Sequence, residues 1–243
     1  MSDVDLANRL LEEAHSLFNH GKYSIAIPKF EAAIRNLSDD SDKAIAFMNI
    51  GICYSNLGVF DDARDYFNGA IKMNSKYAPA FYNRGVMHQQ LDDLESALAD
   101  YDKAIELVPD YASAYNEKGS CLAEKNNLED ALECFKTAAR IFPKEQSFLG
   151  NVGKAYLLLE QPEKAIPYFV AQSSIDADLS EPHVNLAQCY RVLGNFIDAI
   201  QSAEVAIKID SNNADAHEEM GLLMYQLKQF SHAVQYLRIS VLY

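Results

Sequence analysis

The stretch FMNIGICYSNLG, residues 47–58, decides the fold, because the chain says it again. Thirty-four residues on stands FYNRGVMHQQL (81–91), and later come LGNVGKAY (149–156) and HVNLAQCY (183–190). Aligned on the small residue at their centre, these stretches give the series Gly51, Gly85, Gly119, Gly153, Ala187 and Gly221, each 34 residues from the last. Ala14 precedes Gly51 by 37, and the three extra residues fall in the polar run SDDSD (38–42). Twelve residues after every anchor stands an alanine: Ala26, Ala63, Ala97, Ala131, Ala165, Ala199 and Ala233. Sixteen after it come Phe30, Phe67, Tyr101, Phe135 and Phe169, then Ala203 and Leu237. A fixed period of this length marks an array of stacked supersecondary units.

The period within each repeat is helical. AFYNRGVMHQQL (80–91) places apolar residues three and four apart, LDDL interrupts, and ESALADYDKAIELV (95–108) resumes the pattern. Each repeat is therefore two helices and a short turn. Gly21, Gly58, Gly194, Asp92 and Asn126 stand where the turns fall, all tolerant of left-handed backbone. The anchor and the alanine twelve later lack bulk, so the paired helices approach closely. The large residue sixteen later is expected to fill the gap against the next repeat. One helix pair cannot bury its apolar face alone, so stacking is required.

These residues resemble the tetratricopeptide repeat family, over essentially residues 7–243. The resemblance implies an all-α fold, an α-α superhelix or right-handed solenoid of antiparallel helix pairs. Seven repeats would make about one superhelical turn. A single array is expected, in repeats near 7–43, 44–77, 78–111, 112–145, 146–179, 180–213 and 214–243. Two regions depart from the pattern. The fifth repeat has Pro162, Pro167 and Gln172 in its second helix, so distorted packing against the sixth is expected. The last helix, HAVQYLRISVLY (232–243), would leave Tyr236, Leu237, Ile239, Val241, Leu242 and Tyr243 as an apolar surface. That surface implies either a longer chain or homo-oligomerisation through the C-terminal helix.

The resemblance also implies a concave groove lined by the first helices. Two before the anchor stand Glu12, Asn49, Asn83, Glu117, Asn151, Asn185 and Glu219. An amide carries both donors and an acceptor, so Asn49, Asn83, Asn151 and Asn185 are candidates to hold the backbone of an extended peptide. Met48, Ile52, Tyr82 and Val86 would receive its apolar side chains, and Lys154 and Arg191 an acidic group. The same asparagines equally suit a purely structural role along the helix. The family's clamp for acidic chaperone tails needs a lysine three before one anchor and an arginine two before another, and this chain has neither.

Composition narrows the partner. The 243 residues are 49% hydrophobic with a formal net charge of -14, which repels nucleic-acid backbones and anionic membranes. No apolar run approaches the ~18 residues of a membrane helix, and the start MSDVDLANRL lacks the layout of a secretory signal. Cys53, Cys121, Cys134 and Cys189 form no CxxC pair, and three of them lie two after an anchor. They read as core thiols in a reducing, cytoplasmic compartment. His15, His20, His88, His183, His217 and His232 show no metal-ligand spacing, and HEEMG (217–221) ends in the anchor Gly221 where a zinc-protease motif needs histidine. The expectation is a non-enzymatic, cofactor-free scaffold that binds a protein or peptide.

Overall fold

The computed structural model describes residues 3–242. Its regular elements are fourteen α-helices among the described residues. They pair as α1 (Asp3–Asn19) with α2 (Tyr23–Ile34), α3 (Asp40–Asn56) with α4 (Phe60–Met73), and α5 (Ala78–Gln90) with α6 (Leu94–Leu107). There follow α7 (Ala112–Glu124) and α8 (Leu128–Ile141), α9 (Gln146–Leu158) and α10 (Pro162–Ile175), α11 (Glu181–Val192) and α12 (Phe196–Ile209), and α13 (Ala214–Gln226) and α14 (Phe230–Ser240). The chain divides into two compact units, Met1–Cys121 and Leu122–Tyr243. The fold is all-α throughout the described residues.

The alanines twelve after each anchor are fully buried on the second helices, from 0% to 2% exposed in all seven repeats. In the N-terminal unit, Phe30 is buried with Ala14 and Ala26 of its own repeat and with Ile50 and Cys53 of α3. Phe67 is buried with Ala63 and with Met87 of α5, and Tyr101 with Ala97 and Cys121. Burying one such ring is worth about 2–3 kcal/mol, and every core cluster draws on two neighbouring repeats.

The large residue sixteen after the anchor does more than fill that gap. It lies directly over the anchor glycine of its own repeat. A Cβ on Gly51 would stand 2.7 Å from Phe67, one on Gly85 2.8 Å from Tyr101, one on Gly153 2.5 Å from Phe169, and one on Gly221 2.6 Å from Leu237. At these four glycines a ring or branched side chain occupies the space a Cβ would need. The pairing is not uniform: the sixth repeat has Ala187 with Ala203, and Met220, Leu223 and Met224 of α13 complete its cluster, whereas the first buries Phe30 beside Ala14.

The turns between paired helices need one residue with positive φ each. Gly58 serves at +73°, and its amide reaches Ser55 O at 3.0 Å. Asp92, Asn126, Glu160 and Lys228 take the same conformation at φ 55° to 61°. The three extra residues of the first repeat extend α3, whose start is capped by Asp39 accepting from Ser41 N at 2.8 Å and Asp42 N at 3.1 Å.

In the C-terminal unit α10 runs unbroken from Pro162, its first helical residue, through Pro167. Gln172 is 4% exposed, and a Cβ on Gly150 would lie 2.9 Å from its Nε2. The accommodation expected between repeats five and six lies inside the fifth: a larger residue on α10 is matched by a glycine on α9. Phe169 still packs with Leu186 and Cys189 of the sixth repeat. Of the apolar residues in α14, Tyr236 packs into the core with Met220 and Leu237 covers Gly221. Val234, Val241 and Leu242 are exposed, and Tyr243 lies outside the described residues.

Candidate functional site

The residues two before the anchors lie on the first helices, and Asn49, Asn83 and Glu219 reach back to the preceding repeat. Asn49 is 8% exposed, with Nδ2 3.1 Å from His15 Nε2. Asn83 donates from Nδ2 to Pro79 O at 2.8 Å, with Met48 Sδ 3.6 Å away. Neither amide oxygen takes a hydrogen bond from the described residues, so each asparagine retains an acceptor. In the C-terminal unit Asn151 is half-buried, and Nδ2 of Asn185 is buried without a partner.

The same position is a carboxylate in the seventh repeat. Glu219 accepts from Arg191 Nε at 2.7 Å and from Nη2 at 3.2 Å, the two side chains being only 11% and 15% exposed. Lys154 Nζ lies 2.5 Å from Glu181 Oε1, with both side chains half exposed. Neither cation is free for an acidic group of a partner: each is already matched by a carboxylate of the next repeat. Arg191 is held more firmly, because its planar fork meets both oxygens away from water.

The apolar candidates gather in the N-terminal unit. Met48 and Ile52, half-buried, rest on Ala63, Phe67 and Met87. Tyr82 and Val86, also half-buried, rest on Ala97, Tyr101 and Cys121. The Tyr82 ring sits 5.1 Å from that of Tyr111 and 6.0 Å from that of Tyr101. Burial, then the nearby Glu117 charge, push its hydroxyl up to about 12, so it stays a neutral donor at physiological pH.

A set of charged residues one before the anchors had escaped the sequence reading. Arg84 donates from Nε and Nη2 to both oxygens of the buried Asp100 at 2.7 and 2.6 Å, and from Nη1 to Asn68 at 2.6 Å. Glu13 pairs with Lys29 at 2.7 Å in the same geometry with the charges reversed. The signal was available: opposite charges at one before and fifteen after the same anchor. These pairs tie first helix to second helix and leave nothing for a ligand. No group of three or more metal-ligating side chains gathers among the described residues. No helix among them is long and apolar enough to cross a membrane.

Family models for the tetratricopeptide repeat match residues 11–78, 78–111 and 112–145. The chain belongs to the tetratricopeptide repeat family. Solved tetratricopeptide structures share its backbone. YrrB, described as a tetratricopeptide protein with an unusual peptide-binding site, is 26% identical, with 72% of this chain and 90% of that one covered at a TM-score of 0.62. The C-terminal part of a tetratricopeptide protein from Cytophaga hutchinsonii is 16% identical over 95% of this chain and 94% of its own, TM-score 0.75. Pseudomonas aeruginosa pilF is 20% identical over 85% and 94%, TM-score 0.71. No curated protein matches the sequence. Membership of the tetratricopeptide family supports a protein-interaction scaffold.

Proposed function

We propose that this scaffold holds an extended segment of a partner protein along its first helices, chiefly α3 and α5. The observation that carries the proposal is the strip Met48, Ile52, Tyr82 and Val86, half-buried on successive first helices beside two asparagines whose amide oxygens have no protein donor. An extended backbone offers an N–H at every second residue on one side, which an acceptor series can meet, while alternate side chains reach the apolar strip. Asn83 is the better placed of the two, since Asn49 is 8% exposed. Asn151 and Asn185 hold the same position in repeats of the second unit. The peptide-binding site described for YrrB is consistent with this use of the fold. Buried thiols outside any disulfide at Cys53, Cys121 and Cys189 suit a reducing interior such as the cytoplasm.

The test is selection of peptides on the intact chain from a random display library, followed by affinity measurement on variants. Val86→Arg is expected to weaken a selected peptide by at least about tenfold, and joint replacement of Asn49, Asn83, Asn151 and Asn185 by alanine by a smaller factor. Equal affinity for wild type and Val86→Arg would refute the proposal.

A second reading has its own observation. Val234, Val241 and Leu242, with Leu237 and Arg238, line an open hollow of about 420 Å³ on α14. A second copy packing there would make the scaffold self-assemble, and a monomer by light scattering at micromolar concentration rules that out.

A further inference from the structure

The second helices of the C-terminal unit carry a feature that the first-helix reading leaves unused. A hollow of about 390 Å³ opens between α8, α9 and α10, with Glu133, Lys136, Arg140, Pro143, Leu149 and Tyr168 in its wall. Pro143 also belongs to an adjoining hollow of about 470 Å³ formed with Phe142, Lys144 and Glu145. The two make one continuous depression with an apolar floor.

On a chain with 35 acidic and 21 basic residues, the lining carries Lys136, Arg140 and Lys144 against Glu133 and Glu145, a local excess of positive charge. Lys136 and Arg140, four apart on α8, share one stripe of the helix. Lys136 is committed to Glu133 at 2.7 Å, and Glu145 accepts from Ser147 Oγ at 3.0 Å. Arg140 and Lys144 make no ion pair among the described residues. Between them stands Phe142, 58% exposed. An uncommitted guanidinium, an uncommitted ammonium and an exposed ring around an apolar floor form the composition of an interaction hot spot.

We propose that this depression docks an acidic segment of a partner protein that carries an aromatic residue. Its carboxylates meet Arg140 and Lys144, and its ring lies against Phe142 and Pro143. Charge complementarity selects the occupant. A chain of net charge -14 repels an acidic segment over most of its surface, so two unpaired cations beside an exposed ring favour docking here. An anionic membrane presents an extended charged plane and would meet the acidic surface on either side.

The experiment is fluorescence anisotropy of the full chain with a labelled peptide of glutamates flanking a single phenylalanine. Joint substitution Arg140→Glu and Lys144→Glu is expected to weaken binding by at least about tenfold, and Phe142→Ser by a few-fold. All three side chains are exposed, so circular dichroism should match wild type. No binding up to about 1 mM peptide, equal binding by the charge-reversed variant, equal binding of a glutamine version, or capture by phosphatidylserine vesicles without peptide binding would each overturn the proposal.

Discussion

Asn49 and Glu219 hold the same place in their repeats, two before the anchor, and the second and seventh repeats use that place differently. Asn49 is an amide that gives one N–H to the preceding repeat. Glu219 is a carboxylate closed by both arms of Arg191. Either way the position joins a repeat to its predecessor. What differs is the remainder: the amide retains an acceptor beside an apolar strip, whereas the ion pair retains nothing. Asn49 and Asn83 are thus structural residues, and the acceptors left to them are what the proposed recognition would use.

The contrast can be broken at its strongest point first. Arg191→Ala leaves Glu219 buried without its partner and should lower stability by about 3 kcal/mol in urea unfolding. Replacing both residues with apolar ones of similar volume should recover most of that loss, which a merely steric role for Arg191 would not allow. Next comes packing: Gly153→Ala drives a Cβ to 2.5 Å from Phe169 and should cost about 2 kcal/mol. Combined with Phe169→Leu the penalty should be clearly sub-additive. Asn49→Ala removes one largely buried hydrogen bond and should cost about 1 kcal/mol. Lys154→Ala breaks an exposed pair and should change stability by less than about 0.5 kcal/mol.

The smallest effect is set by pH. Burial pushes the Cys53 thiol up to about 11 and that of Cys189 to about 12. Unfolded thiols ionise near pH ~8.5, so the folded state holds its protons longer as pH rises. Stability is therefore undiminished below that point and declines toward pH 11. Unfolding midpoints taken from pH 8 to pH 11 should fall, and replacing both cysteines with alanine should flatten the slope.

Much of this was legible because the repeat multiplies weak signals. One alanine is uninformative; seven at fixed spacing placed a close helix contact in every repeat, and all seven are buried. Gly58 and Asn126 announced their turns by residue type, but Glu160 and Lys228 take positive φ without any local preference for it. The neighbouring helices hold them there, so their turns followed only from the period. The ring over the anchor glycine was misassigned wholly to the next repeat, since spacing shows that two residues are coupled but not which face of a helix pair they share. The match of Gln172 to Gly150 was hidden for the same reason. On the site, residue type suggested free cations at Lys154 and Arg191, and the carboxylates that answer them lie 27 and 28 residues away, across a stack whose register the sequence alone does not give.

The most direct test is hydroxyl-radical footprinting of the intact chain with and without a saturating selected peptide. If the first helices hold the partner, Met48 and Tyr82 should lose reactivity together, while Tyr66 on α4 and the exposed Phe142 keep theirs. Protection of Phe142 or Tyr66 with Met48 and Tyr82 unchanged would contradict the account.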